Sequence, residues 1–219
     1  PDVLWENRGD GTFVNVAPGT PLAGDHHSVA ADWGDINNDG WLDLYVDTFL
    51  SSEAEARDYL FIGGPEGFTE ALPTEMLEHG ASHGVRFADY DNDGDLDLAL
   101  ANNHPEGKHP LYRNDLVPEL ATRSLVVAVI NQAGNWARAG TKVTISRESD
   151  GFLSARLVDT GGGYSSQGVG PVHFGLPPGS GLVTLTISWF EDGELHTMTV
   201  PEISLEELTS KWLFVRTEV

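Results

Sequence analysis

The sequence contains no cysteine among its 219 residues. This absence excludes disulfide bonds, thiolate-ligated zinc and a cysteine nucleophile. Basic residues are also scarce: 12 lysines and arginines stand against 34 aspartates and glutamates, which gives a formal net charge of −22. A surface of that charge repels nucleic acid and anionic lipid and attracts divalent cations. We therefore expect no nucleic-acid partner, and a metal ion is the natural candidate for stabilising a fold without disulfides.

Long apolar runs are absent as well. No stretch approaches about 18 consecutive apolar residues, so the sequence predicts no membrane span. The chain starts at Pro1 without a signal-peptide pattern, which indicates a mature or trimmed product. A hydrophobic fraction of 40% is typical of a folded globular chain. The length suits one large β-domain or two modest ones.

A self-similar unit occurs twice in the first half of the chain. It is centred on residues 35–44 (DINNDGWLDL) and residues 89–98 (DYDNDGDLDL). Each copy follows an apolar segment and precedes an alternating, strand-like pattern. About four short strands per unit are predicted, the form of a propeller blade. We expect the chain to open with the last two strands of one blade. A complete blade would follow at about residues 26–72, and a second, incomplete one would start near residue 82.

The pattern changes from about Leu125, where β-branched, alternating segments are separated by glycine-containing turns. Residues 188–200 predict a hairpin around Asp192 and Gly193, and residues 212–215 predict a final strand. The fold class predicted from the whole sequence is all-β. About two propeller-type blades in an incomplete ring would occupy residues 1–120, and a β-sandwich-like domain would occupy residues 121–219.

The repeated loops have the residue types of a calcium site. Ca²⁺ prefers six to eight oxygen ligands, which a loop can supply from side chains at positions 1, 3, 5 and 9 and a backbone carbonyl at position 7. Glycine stands at position 6 of both loops, where the chain must turn sharply. The Glu that an EF-hand needs at position 12 is missing, so two structural Ca²⁺ sites are predicted rather than sensors. Their predicted ligands are Asp35, Asn37, Asp39, the Trp41 carbonyl and Asp43 in the first loop, and Asp89, Asp91, Asp93, the Asp95 carbonyl and Asp97 in the second.

Other motifs have simpler structural interpretations. The tripeptide at residues 8–10 (RGD) lies where the repeat requires a hairpin turn. His79 and His83 have the spacing of a zincin motif but lack its Glu. Trp33 and Trp189 fall in strand patterns, which predicts that they belong to the core rather than to a sugar-stacking surface.

These residues carry a resemblance to known families. The two Asp-rich loops, together with residues 4–7 (LWEN) and 9–13 (GDGTF), resemble FG-GAP/VCBS-type propeller repeats. Residues 139–143 (AGTKV), 163–167 (GYSSQ) and 173–176 (HFGL) resemble the ASPIC/UnbV domain. The combination is similar to the cartilage acidic protein family and to secreted bacterial proteins. The resemblance implies a Ca²⁺-binding protein that is secreted or on the cell surface, with a structural or adhesion role and no established catalytic chemistry. We accordingly predict that the chain is not an enzyme.

The number of blades raises the question of partners. Propellers of this type usually carry seven blades, and two blades cannot close a ring, so strand edges should stay open. We expect copies to self-associate through the open blade edges into a ring or filament, unless the chain is a piece of a longer propeller. A glycan or a surface protein is a further candidate partner. The alternative from another functional class is a carbohydrate-binding or glycan-processing protein, which activity or binding on polysaccharide would distinguish.

Overall fold

The computed structural model describes residues 2–48, 57–77, 82–102, 108–136, 139–159, 163–164, 166–168, 170–179, 181–208 and 210–217. These residues form an almost entirely β structure, as the sequence predicted. The strands are β1 (Trp5–Asn7), β2 (Phe13–Asn15), β3 (Ser28–Gly34), β4 (Asp43–Thr48), β5 (Tyr59–Gly64), β6 (Gly67–Glu70), β7 (Gly84–Ala88), β8 (Asp97–Ala101), β9 (Leu111–Tyr112), β10 (Ser124–Ile130), β11 (Lys142–Arg147), β12 (Phe152–Leu157), β13 (Val172–Gly175), β14 (Val183–Glu191), β15 (Glu194–Ile203) and β16 (Trp212–Arg216). The helical elements are a 3₁₀ helix (Pro21–Ala23), α1 (Thr74–Leu77) and α2 (Pro118–Ala121).

The expected complete blade is a four-stranded antiparallel sheet in the order β3-β4-β5-β6. Strand β4 lies inside it, and all six of its residues are buried. Both of its faces are covered: Leu44 and Val46 pack with Phe61 on one side, and Tyr45 packs with Val85 and the next sheet on the other. Such two-sided burial is typical of a blade between neighbouring blades.

The remaining sheets of this half also follow the prediction. Strands β1 and β2 form the two-stranded end of a blade, and β7-β8-β9 form the incomplete second blade. None of the sheets closes on itself within the described residues.

The C-terminal part is a sandwich of two sheets, β13-β10-β16 and β12-β11-β14-β15. Its core is formed by apolar side chains that alternate along the strands, among them Leu125, Val143, Ile145, Phe174 and Ile187. The predicted hairpin is confirmed: β14 and β15 pair in antiparallel fashion, with Trp189 opposite His196. Strand β16 runs parallel to β10, a long-range pairing that no local pattern indicated.

Polar contacts attach the sandwich to the blades. The Asn38 side-chain amide donates to the Gly94 carbonyl at 3.1 Å and to the Leu120 carbonyl at 3.2 Å. The His173 ring places Nε2 3.3 Å from the same Gly94 carbonyl. The two Asp-rich loops are therefore connected to each other and lie against the sandwich.

One expectation about the core is wrong. Trp189 is only 6% exposed, as predicted, but Trp33 is 41% exposed. Strand β3 turns Ala30, Asp32 and Gly34 inward, so Trp33 points to the other side. Asp32 is polar but points inward because its carboxylate accepts a hydrogen bond from the Phe87 backbone N–H on β7.

Candidate metal centre

The first aspartate of each loop folds the loop around itself. Asp35 accepts from the N–H groups of Asp39 at 3.0 Å and Gly40 at 2.8 Å. In the second loop Asp89 accepts in the same way from Asp93 at 3.1 Å and Gly94 at 3.3 Å. The local sequence thus produces one geometry twice, and the glycines at position 6 adopt the left-handed backbone that the turn requires (φ 95° and 101°).

The aspartate at position 9 joins each loop to the neighbouring strand. Asp43 accepts from the N–H of Ile36 inside the loop and of Gly63 at the end of β5, both at 2.8 Å. Asp97 accepts from Tyr90 at 3.1 Å and from Asn114 at 2.9 Å. Both carboxylates are held in place by backbone donors before any ion is considered.

Three predicted ligands of the second loop come together. Asp89, Asp91 and Asp97 each offer a carboxylate oxygen, and these oxygens lie within 4.8 Å of one another. Among the described residues this is the one group of three or more His, Asp or Glu side chains with such a spacing. The equivalent positions of the first loop are occupied by Asp35, Asn37 and Asp43.

The side chains at positions 5 and 7 are placed differently. Asp39 accepts from the Trp41 N–H at 2.8 Å, and Asp93 accepts from the Asp95 N–H at 3.2 Å, so both stabilise the next turn and neither belongs to the group of three carboxylates. The Asp95 carboxylate accepts from the Leu116 N–H at 3.0 Å. Coordination by the Trp41 and Asp95 carbonyls stays a prediction.

Burial makes these carboxylates resist ionisation. It raises the pKa of Asp35 to about 6 and that of Asp43 to about 7, although backbone N–H donors oppose the shift. Burial likewise raises the pKa of Asp89 and of Asp97. A bound cation would stabilise the negative charge of these carboxylates in place of the water that burial removes.

The donor set fits Ca²⁺. It consists of carboxylate and amide oxygens, which hard cations prefer, with no nitrogen or sulfur ligand among the predicted residues. In the second loop Asp89, Asp91 and Asp97 would hold the ion. When bound, Ca²⁺ would neutralise clustered carboxylates and fix the loop. His79, named in the motif search, lies outside the described residues.

Two features of this region were missed from the sequence. The Asn114 side-chain amide donates to the Ile36 carbonyl at 2.7 Å and the Leu96 carbonyl at 3.2 Å, so it joins both loops. Its signal in the sequence was the segment at residues 111–114 (LYRN), which repeats the Leu-aromatic-x-Asn pattern of residues 4–7 (LWEN). The second feature is Asp47 on β4, which is 0% exposed and whose carboxylate oxygens have no hydrogen-bond partner in the described structure. Nothing in its local sequence indicates this burial.

Comparisons with known proteins agree with this architecture. Residues 1–46, which include the first loop, match the FG-GAP-like repeat model, and residues 131–205 match the model described as ASPIC and UnbV. The chain is 24% identical over 261 residues to Cartilage acidic protein 1 of Xenopus tropicalis, a match that covers 92% of this chain. It spans only 40% of the length of that relative. No helix in the described part of the chain is long and apolar enough to cross a membrane. Two segments of the chain are therefore similar to an FG-GAP-like repeat and to the ASPIC/UnbV domain, the combination that its motifs predicted.

Proposed function

We propose that this chain is a non-catalytic, calcium-stabilised structural or adhesion protein that acts outside the cell. The observation that carries the proposal is the group of Asp89, Asp91 and Asp97, whose carboxylate oxygens lie within 4.8 Å of one another. The first loop supports it, since Asp35 and Asp43 make the corresponding backbone hydrogen bonds. Two Ca²⁺ ions, one per loop, are proposed.

The role of the ions would be to stabilise the fold. A ligand that binds only the folded state at about 100 times its Kd adds roughly 2.7 kcal/mol to the free energy of unfolding. Loops that lack a bidentate Glu and are tied to strands by backbone hydrogen bonds suit a permanent structural ion. Extracellular calcium modules typically have Kd values of about 10⁻⁴–10⁻³ M, so a structural site of this kind suits a location outside the cell. The similarity to a cartilage acidic protein supports the same location.

Self-association through open blades is part of the proposal. The β1–β2 hairpin exposes two large side chains, Trp5 at 58% and Phe13 at 59%, next to open strand edges. Apolar side chains beside unpaired edges are a template for another sheet. Light scattering at micromolar concentration should show a species larger than one chain, and a stable monomer would contradict this part.

The calcium proposal is tested by thermal melting and calorimetric titration. After removal of bound metal, added Ca²⁺ should raise the Tm and bind at two sites per chain. Asp89→Asn and Asp97→Asn should each abolish one site, because a carboxylate of the second loop is lost. Asp192→Asn, at the tip of the β14–β15 hairpin, is the matched control and should leave both sites intact. If Ca²⁺ changes neither the Tm nor the heat of titration, the calcium assignment fails.

A further inference from the structure

The two Asp-rich loops carry different numbers of carboxylates. Position 3 is Asn37 in the first loop and Asp91 in the second. Positions 1, 3, 5 and 9 therefore offer three carboxylates in the first loop and four in the second. The charge of the ligands is one of the properties that set the affinity of a loop for Ca²⁺. On charge alone the second loop is the stronger site.

Asn37 also changes the bonding inside the first loop. Its side-chain amide donates to Oδ2 of Asp39 at 3.0 Å, and a donor of this kind stabilises the carboxylate without an ion. In the second loop Asp91 can only accept, and its carboxylate belongs to the group that it forms with Asp89 and Asp97. Like charges at this spacing repel one another, and a bound cation would relieve the repulsion.

The sandwich packs closely on the first loop. A Cβ on Gly175 of β13 would lie 2.1 Å from Oδ2 of Asp35, and a Cβ on Gly40 would lie 2.6 Å from Cδ of Pro177. Asp35 is accordingly 1% exposed, whereas Asp89, at the same position of the second loop, is half-buried. An entering ion therefore finds the first loop less open than the second.

A cation of the sandwich acts on the same corner of the first loop. The Arg156 guanidinium on β12 lies over the Phe174 ring at 5.0 Å, and Nη1 donates to Ser154 Oγ at 2.8 Å. Phe174 precedes Gly175, the residue against which Asp35 packs. Burial raises the pKa of Asp35, and the positive charge of Arg156 opposes that rise. The charges of Arg156 and Asp35 therefore attract each other.

This attraction works against an ion in the first loop. A fixed positive charge stabilises the Asp35 carboxylate in place of the ion, and it repels any divalent cation that comes near. The effect is large where the surroundings are buried, because little water and salt are present to screen it. Arg156 should therefore lower the affinity of the first loop for Ca²⁺.

The second loop has a different electrostatic environment. Burial raises the pKa of Asp97, and the negative charges of Asp91 and Asp93 add to that rise. Arg113 interacts with Asp91, but its side chain is exposed and paired with Asp115 at 2.6 Å. Solvent screens such a surface cation more strongly than a buried one. The second loop therefore keeps more of its attraction for a divalent ion.

We propose that the two loops bind Ca²⁺ with different affinities, and that the sandwich weakens the first loop through Arg156. The second loop fills at a lower Ca²⁺ concentration, and the first loop fills later. This inference rests on the proposed calcium function and adds an order of filling to it. The folded contact with the sandwich, and not only the local sequence, sets the calcium concentration at which the first loop is occupied.

The first test is a Ca²⁺ titration of metal-free, ¹⁵N-labelled protein followed by NMR. The N–H groups of Gly40 and Gly94 donate to the first aspartate of their own loop, so their signals report the two loops separately. The midpoint for Gly94 should lie roughly tenfold or more below that for Gly40. Equal midpoints, or a lower one for Gly40, overturn the proposal and leave the calcium function standing. If neither signal moves, both fail.

The second test removes the cation. Arg156→Gln should lower the Ca²⁺ midpoint of the Gly40 signal roughly three- to thirtyfold and leave that of Gly94 unchanged. Arg156→Lys keeps the charge and should stay closer to the unaltered protein. Lys142→Gln removes an exposed cation from β11, the strand next to β12, and serves as the matched control with both midpoints unchanged. An unchanged Gly40 midpoint in a folded Arg156→Gln variant contradicts the role of the sandwich.

The third test adds the missing carboxylate and does not require a change at a buried arginine. Asn37→Asp gives the half-buried position 3 of the first loop the residue type of the second loop. The Gly40 midpoint should fall roughly three- to thirtyfold, and the Gly94 midpoint should stay the same. A Gly40 midpoint that stays constant or rises in Asn37→Asp overturns the proposal independently of the Arg156 variants.

Discussion

Asp32 on β3 accepts a hydrogen bond from the backbone N–H of Phe87 on β7 at 2.8 Å. This bond joins the first strand of one blade to the first strand of the next. The same carboxylate accepts from the Trp33 N–H at 3.1 Å and from Arg86 Nη1 at 3.3 Å. A single inward-pointing side chain therefore links two sheets that share no β-ladder.

Removal of that carboxylate should destabilise the pair of blades. Asp32→Ala leaves the buried Phe87 N–H without an acceptor, which we expect to lower the free energy of unfolding by about 1–3 kcal/mol. Asp32→Asn keeps an acceptor oxygen and should cost less. Urea unfolding measures both, and an alanine variant as stable as the asparagine variant would show that the bond contributes nothing.

The packing of the second loop against α2 can be tested at a glycine. A Cβ on Gly94 would lie 2.7 Å from the Ala121 carbonyl oxygen, whereas a Cβ on Gly67 would meet nothing within 4 Å. Their φ angles are nearly equal, +101° and +102°, so Gly67→Ala measures the backbone cost alone, about 1–2 kcal/mol.

Gly94→Ala should therefore cost clearly more than Gly67→Ala, by an additional ~1–3 kcal/mol for the steric overlap. Thermal melting of the two variants side by side gives the difference. Equal Tm values would mean that the loop and α2 are not in contact as described.

The pH dependence of the calcium-free protein follows from Asp35 and Asp43. Burial raises their pKa values in the folded state to about 6 and about 7, above the ordinary value near 3.8 of the unfolded chain. The folded chain therefore binds more protons than the unfolded chain between these values. Their stabilising effect is fully present below about pH 4 and is lost as the pH rises through about 6 to 7.

Protein stripped of metal on a chelating resin should accordingly show a rising Tm as the pH is lowered from 8 to 5. With saturating Ca²⁺ the slope should flatten or reverse, because protons compete with the ion for the same carboxylates. Asp43→Asn should reduce the slope of the stripped protein. If the Tm of the stripped protein falls as the pH is lowered from 8 to 5, the raised pKa values are contradicted.

Asp47 offers a test away from the loops. It is 0% exposed, and burial, together with the charges of Asp58 and Asp32, raises its pKa to about 8. Asp47→Asn removes the charge at similar volume, so at pH 8.5 it should stabilise the protein by roughly 1–3 kcal/mol, a Tm increase of about 2–10 °C.

At pH 5 the advantage should disappear, because Asp47 is then protonated in the unaltered protein. Asp192→Asn, on an exposed turn, should change the Tm at neither pH. A loss of stability in Asp47→Asn at pH 8.5 would indicate that the carboxylate is balanced by a partner, and it would refute this account.

Local sequence predicted the elements of the loops well. Asp35 and Asp89 lie four and five residues before the N–H groups that they bind, so loop geometry is encoded within a short segment. The alternation of β14 and β15 likewise predicted their hairpin. Asn114 was visible only as a member of a repeated element, because its partners Ile36 and Leu96 are distant in sequence.

The sequence by itself determined the two Asp-rich loops, the β-strands around them and the change of pattern near residue 125, since each depends on neighbours along the chain. Tertiary structure decided which side chains lose water. It buried Asp47 with no hydrogen-bond partner among the described residues, and it turned Trp33 outward because Asp32 points inward and bonds to Phe87 of the next blade. It also brought His173, Trp212 and Arg156 together between the blades and the sandwich. These outcomes depend on how sheets pack against one another, and the strand pattern of a single segment does not specify that packing.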